Sequence, residues 1–495
     1  MATRIKPLAV CQQIYNFSCD INASRKAQNI VHISNDIEYD DIKKEFQDEI
    51  YPGDRRQHLM WFLQISDLHL SLFKDQGRGS DLKTFFCTET VSVVQPPVVL
   101  ATGDLVDART ADLLGSRQYV EEWRMYQQIL QESGVTMNTT WLDIRGNHDN
   151  FNVLSLDDKN DLFRKYSIQG KKNRRSYSYT LQQDTEVYDF IGIDACMDPG
   201  PKRPFNFLGE EYSHVQELLE SAKGNVTIWF GHYPTSTIVA PYPENRKYRI
   251  CAVDHGIFSF IDNHLEDWPL ILVTNPKDAM MLMPTIEPLY RMLKSTHIRV
   301  LIFSPHPIIS AKVKINNGNW SELKLSESPL YVAPWEPLKY MEGIHTITVY
   351  AKDSSGKEKT FSHQFSLDNS RPKFPLGARF ALMGHISVGQ AIFGVSLLIT
   401  LLPLCIMRIY LCYGKGEGIK LKSERGFIRR MIFKFSLLAS VDKLFWTVVI
   451  GAFLYVGVGP WNFISSYILY PVHSVPFELS LPAVQKCQRW TAKTL

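Results

Sequence analysis

Four short strings carry side chains suited to gripping a metal ion. They are Asp67-x-His69 in ISDLH, Gly103-Asp104-x-x-Asp107 in TGDLVD, Gly146-Asn147-His148-Asp149, and Gly231-His232. Carboxylate, imidazole and amide oxygen together suit a hard or borderline divalent cation such as Mn, Fe or Zn. Each string follows a short apolar run of strand type: WFLQIS (61–66), VVLATG (98–103), TWLDIRG (140–146) and VTIWFG (226–231). Side chains alternate along a strand with period two, so Asp67 and His69 are expected to point the same way and hold one ion. Glycine ahead of Asp104 and Asn147 is expected to let the backbone turn sharply and leave the ligand at the strand tip. A lone D-x-H is usually surface decoration. Four such strings, each at a strand end, are a strong signal.

The elements that must position them follow from the intervening text. YDFIGID (188–194) reads as a further strand, and amphipathic stretches at 117–132 and 210–223 read as helices. That alternation predicts an α/β layered domain with its site beyond the strand ends. From 297 to 368 the texture changes to HIRVLIFS, AKVKIN, HTITVYAKD and TFSHQFSL, separated by turn signals such as NNG and SSGK. Alternation with regularly spaced turns predicts a small β-sandwich. Residues 1–60 read as a poorly structured extension broken at Pro52-Gly53, without the early apolar run of a secretory leader.

Composition narrows the class. A chain of 495 residues has room for about three domains. Lys+Arg 54 against Asp+Glu 51 leaves +3, too little basic excess for a nucleic-acid partner. Hydrophobic residues at 45% and charged residues at 21% exclude wholesale disorder. Eight cysteines at irregular spacing exclude a disulfide scaffold, and no C-x-x-C pair offers a zinc site. The mean hydropathy of −0.15 averages over two uncharged runs, Ile386 to Met407 and Leu444 to Pro471. A transmembrane helix needs about 20 apolar residues, so both are expected to span a membrane. Between them stand Lys415, Lys420, Lys422, Arg425, Arg429, Arg430, Lys434 and Lys443, which predict a cytosolic loop. The α/β domain and sandwich would then be lumenal or extracellular, at the cell surface or in an endomembrane. GKGEG (414–418) lacks the preceding strand and following Lys-Ser/Thr of a phosphate loop, and Cys405 and Cys412 read as apolar filler.

In this order the four strings resemble the calcineurin-like metallophosphoesterase superfamily, whose pattern is D-x-H, G-D-x-x-D, G-N-H-D/E, G-H and finally G-H-x-H. GIHTITVYAKDSSG is similar to the last hairpin of immunoglobulin-like modules. The resemblance implies an α/β/β/α sandwich over 61–260, a connecting segment at 261–296 and an immunoglobulin-like β-sandwich at 297–370. Transmembrane helices at 386–407 and 444–471, joined by a basic loop at 408–443, and a tail at 472–495 complete the expected organisation. It implies a phosphoester hydrolase with two divalent metal ions (Mn, Fe or Zn) and an attacking hydroxide that they activate. Asp67 and His69 would hold the first ion, Asp104 both, and Asn147 and His232 the second. His148 would contact phosphate or protonate the leaving oxygen, with Asp149 behind it fixing the ring.

The chain departs from that pattern in its fifth string. No G-H-x-H follows His232, and the next histidine, His255, reads as a loop residue rather than a replacement ligand. The domain is therefore expected to be shortened internally, as in an alternative isoform or incomplete gene version. An inactive, membrane-tethered binding module on the same fold is the alternative reading. Lys202 and Arg203 read as part of a solvated Pro-rich turn. Sequons at Asn138, Asn225 and Asn319 are possible glycosylation sites. Substrate and protein partners cannot be read from these strings.

Overall fold

The computed structural model describes residues 51–112, 114–153, 158–196, 209–232 and 247–373, the dipeptide Leu8–Ala9 and scattered positions between 395 and 449. Lys202, Arg203, Cys412, residues 411–433 of the basic loop and most of residues 1–50 lie outside them.

The first sheet combines strands β1 (Leu59–Ile65), β2 (Val98–Thr102), β3 (Thr140–Ile144), β7 (Lys247–Asp254) and β8 (Ile257–His264). Its order is β3-β2-β1-β7-β8, parallel among the first three and antiparallel thereafter. The second sheet has β4 (Tyr177–Gln183), β5 (Glu186–Ile193) and β6 (Val226–Gly231), with Leu8–Ala9 bridged to β6. Period-two alternation sorts β1 between two cores. Leu63 and Ile65 pack with Phe86, Trp123 and Tyr126, contributed by a helical segment α1 (77–94) and helix α2 (Val120–Ser133). Met60 and Phe62 face Phe190, Ile228 and Phe230 of the second sheet. Helix α3 (Gly209–Ser221) lies against β4 and β5, completing helix, sheet, sheet and helix layers. Both faces of β1–β3 are buried, which is why those strands are largely apolar.

The sandwich follows. One sheet, in the order β9-β10-β14-β13, contains β9 (Leu270–Asn275), β10 (His297–Phe303), β13 (Lys324–Glu327) and β14 (Leu330–Pro334). The other, β12-β11-β15-β16, contains β11 (Ile308–Ile315), β12 (Ser321–Glu322), β15 (Ile344–Asp353) and β16 (Glu358–Ser366). Strand β9 arises inside the stretch that the sequence suggests is a connector. Its LILVT run does not alternate because one face meets the sandwich core at Ile271 and Val273, while the other meets the α/β domain at Leu270 and Leu272.

A buried ion pair joins the two parts. Asp254, at the end of β7, accepts from Arg299 Nε of β10 at 2.8 Å, from Thr274 Oγ1 at 2.6 Å, and lies 2.6 Å from His255 Nδ1. Arg299 also donates to Gly53 O and Arg55 O. Burial opposes the charge on Asp254, but Arg299 and His255 outweigh it and hold its carboxyl well below the usual range. Arg299→Met is therefore expected to destabilise the chain by about 3–5 kcal/mol, because it strands a buried carboxylate. Chemical denaturation of the two proteins side by side checks this.

The described residues between 395 and 449 belong to a separate compact unit. There Leu404, Ala439, Phe445 and Val449 are buried together, while Leu398, Ile399, Leu402, Ile406 and Ile409 are exposed. Among the described residues no helix is long and apolar enough to cross a membrane. The two uncharged runs lie mostly outside those residues.

Candidate metal centre

All four strings converge beyond the carboxyl ends of β1, β2, β3 and β6. Asp67 and His69 do not lie in β1, as the alternation argument assumed, since the strand ends at Ile65. Both residues take left-handed backbone conformations, with φ of 56° and 44°. Their loop runs beside the second string: Asp67 N donates to Gly103 O, His69 N to Asp104 O and Leu70 N to Leu105 O. Such strain persists only where surrounding contacts enforce it, here those backbone bonds.

Of the two glycines, Gly146 serves differently from expectation. Gly103 does need its positive φ, 91°. Gly146 is required for space, since a Cβ there would stand 2.2 Å from Asp104 Oδ1 and 2.3 Å from Asp104 N. The third string is pressed directly onto the second. Arg145, fully buried, anchors it through Asp161 at 3.2 Å and Asp194 at 3.0 Å.

Asp104 sits at the middle. Its Oδ2 is 3.6 Å from His69 Nε2 and its Oδ1 is 3.4 Å from His232 Nε2. His232 donates from Nδ1 to Thr102 O at 2.8 Å, which leaves the Nε2 lone pair facing Asn147 Oδ1 at 3.1 Å. In the neutral ring, lone pair thus faces lone pair, an arrangement that a cation bound by both would satisfy. Two groups of atoms lie within 4.8 Å of one another: Asp67, Asp104 and His232, and separately His69, Asp107 and His148. Among the described residues, buried His69 Nδ1 and Asp107 Oδ2 have no hydrogen-bond partner. Asp67 keeps its side chain 36% exposed, so the cluster is open to solvent on that side. The donor set and these unsatisfied atoms fit divalent cations. Asp67, His69, Asp104, Asn147 and His232 would hold them.

One assignment changes. Asp149 does not brace the His148 ring. Its carboxylate takes the amides of Gly146 (2.8 Å), Leu105 (2.9 Å) and Val106 (3.2 Å), clamping the second and third strings together. The ring is held instead by Asp107, whose carbonyl accepts from Nδ1 at 2.5 Å. Asp107 was visible in G-D-x-x-D, but nothing in the spacing gave it a role. Glu122 of α2 gave no signal at all; it accepts from Leu72 N and Ala108 N and ties the two loops that lead away from His69 and Asp107. Burial pushes Glu122 up to about 7.

His255 lies at the other end of the domain. Strand β7 runs antiparallel to β1, pairing Asp254 with Leu59 at the start of β1 and Arg249 with Gln64 near its end. Asn138 and Asn319 are exposed, whereas Asn225 is half-buried and accepts from Val187 N at 3.0 Å.

The electrostatics set a pH dependence. Burial disfavours charge on His69, but Asp67, Asp104 and Asp107 more than compensate and raise its pKa; for His232, Asp104 and Asp67 do the same. A metal ion requires both rings neutral, so protons compete with it. Metal affinity is expected to fall as pH drops through these raised values, by up to about tenfold per pH unit for each proton displaced. Calorimetric titration at pH 6 and 8 measures this.

Comparison with known proteins agrees with the geometry. The Calcineurin-like phosphoesterase family matches residues 60–270, and the TMEM62 Ig-like domain matches residues 265–371. Mouse transmembrane protein 62 is 38% identical over 461 residues, covering 83% of this chain and 70% of the mouse protein. An Arabidopsis thaliana protein named as a metallophosphoesterase is 31% identical over 227 residues, 42% of this chain and 30% of that protein. The chain thus belongs to the calcineurin-like phosphoesterases, within the family of transmembrane protein 62, which carries the same Ig-like domain.

Proposed function

We propose that the chain is a metal-dependent phosphoester hydrolase anchored in a membrane, with the α/β domain and sandwich on the lumenal or extracellular side. One observation carries the catalytic reading: carboxylate, imidazole and amide lone pairs from four separate strings face one another around Asp104. Two divalent cations at such a site supply positive charge against a phosphoryl group and lower the pKa of an attacking water. Asp104 lies between the ligand groups and would be shared. Its Oδ1 is fixed by His148 N at 2.9 Å. His148, held at Nδ1 by Asp107, presents Nε2 as the atom that passes a proton to the leaving oxygen. The uncharged runs, the basic loop between them and the name of the mouse relative support the membrane reading.

A binding module without turnover is the second reading. It is favoured by the missing fifth string, for which His255 is no replacement at the far end of β7. Elemental analysis of the Mn-loaded full chain, with assay of a chromogenic phosphodiester, separates the two. Bound metal with turnover supports the hydrolase; bound metal without turnover supports the module. Absence of metal rejects the metal-dependent enzyme.

A further inference from the structure

A cavity of about 480 Å³ lies between the α/β domain and the sandwich, a size suited to a small organic group. Trp61 of β1 and Phe303 of β10 supply apolar wall and meet edge-on, with ring centroids 6.0 Å apart. Beside them stand Gln95, just past α1, and Gln182 at the end of β4. The sandwich adds Ser304 and Ser328. Both domains therefore line one space.

Its polar wall is built for a neutral occupant. The lining contains no acid and one cation, Arg56. That guanidinium is committed: Nη1 donates to Ser328 O at 2.9 Å, and its carbon lies 5.7 Å from the centre of the Trp61 ring. Gln95 and Gln182 are exposed, and each amide offers two donors and an acceptor. Amides and hydroxyls around an aromatic floor match a saccharide, which has hydroxyl groups on its rim and an apolar ring face.

The source of such a group stands in the same wall. Asn138 lines the cavity, is exposed, and opens the sequon Asn138-Thr139-Thr140. The sequon is fastened to its neighbours. Thr139 Oγ1 donates to Pro96 O at 2.6 Å and Thr140 N to Pro97 O at 3.0 Å, and both prolines also line the cavity. Thr140 Oγ1 and Tyr179 Oη lie 3.1 Å apart. A group attached to Asn138 would thus start from a fixed point in the cavity wall. Asn319, in the turn between β11 and β12, has no place in that lining.

We propose that Asn138 carries an N-linked glycan whose first sugar occupies this cavity and ties the α/β domain to the sandwich. The proposal rests on the lumenal or extracellular placement above and not on the hydrolase reading. In the attachment, Asn138 Nδ2 bonds to C1 of a sugar supplied as a lipid-diphosphate-linked oligosaccharide. The bond from C1 to the diphosphate oxygen breaks, the diphosphate leaves with the electron pair, and the amide loses a proton.

The full chain, made in glycosylating cells, is digested under native conditions with an endoglycosidase. Glycopeptide mass spectrometry follows positions 138 and 319. The comparison variant is Gln95→Gly with Gln182→Ala, which keeps the sequon and its bonds to Pro96 and Pro97. Glycine suits position 95, where φ is 47°. Sugar removal at 138 is expected to be at least about tenfold faster in this variant, because in the parent the sugar must first leave the cavity. Equal rates overturn the proposal. A second arm reads stability. Asn138→Gln is expected to lower the Tm of the parent by about 2 °C or more and to leave that of the double variant nearly unchanged. Equal lowering in both backgrounds overturns the contact. Glycan at 319 but none at 138 overturns the proposal and leaves the lumenal placement standing; glycan at neither position counts against both.

Discussion

Asp104→Asn is expected to reduce bound divalent metal from about two ions per chain to fewer than one. Phosphodiester turnover should fall by at least about 10³-fold, since removing mere supporting partners of a ligand already costs 10–100-fold. The substitution conserves size but removes the charge that faces both His69 Nε2 and His232 Nε2. A second consequence separates lost metal from lost fold. Burial and the Asp104 charge together push Asp149 up to about 7, against the pull of its backbone amides. Neutralising Asp104 relieves that repulsion. The metal-free variant is expected to stay folded near neutral pH, because relief at Asp149 offsets the attraction lost to His69 and His232, as chemical denaturation measures. Reduced stability together with lost metal would instead make Asp104 a structural residue.

Gly146→Ala is expected to be among the most damaging single-methyl changes in the chain. Its Cβ would stand 2.2 Å from Asp104 Oδ1 and 2.3 Å from Asp104 N, and backbone cannot swing aside as a flexible side chain can. Overpacking a well-packed site typically costs 1–3 kcal/mol. Here relief would also disturb the Asp149 clamp on Gly146 N, so about 3 kcal/mol or more is expected. Gly77→Ala is the control, because nothing lies within 4 Å of its added Cβ. That change should be neutral or stabilising by up to about 1 kcal/mol, through reduced freedom of the unfolded chain. Melting of both variants, with metal counted on whatever folds, tests the pair.

The strand positions were legible because β1, β2, β3 and β6 end where their apolar runs end, with the ligand strings immediately beyond. The sandwich was legible where one face is exposed, as in β15 and β16, where burial alternates. Strand β9 was not, because the α/β domain covers its second face and erases the alternation. Within the site, ligand identities could be read but supporting roles could not. Asp149 and Asp107 both stand beside ligands in the sequence. Which of them reaches the His148 ring depends on how the second and third strings press together, a contact between residues some 40 positions apart.

Local sequence therefore determined which residue types are available at each strand end, since chain chemistry and strand period act over a few residues. Tertiary structure decided the rest: left-handed ligand conformations held by the neighbouring loop, the purpose of Gly146, and the distance of His255 from the centre. These depend on strand direction and on close contact between distant segments, and neither is encoded in the spacing of a motif.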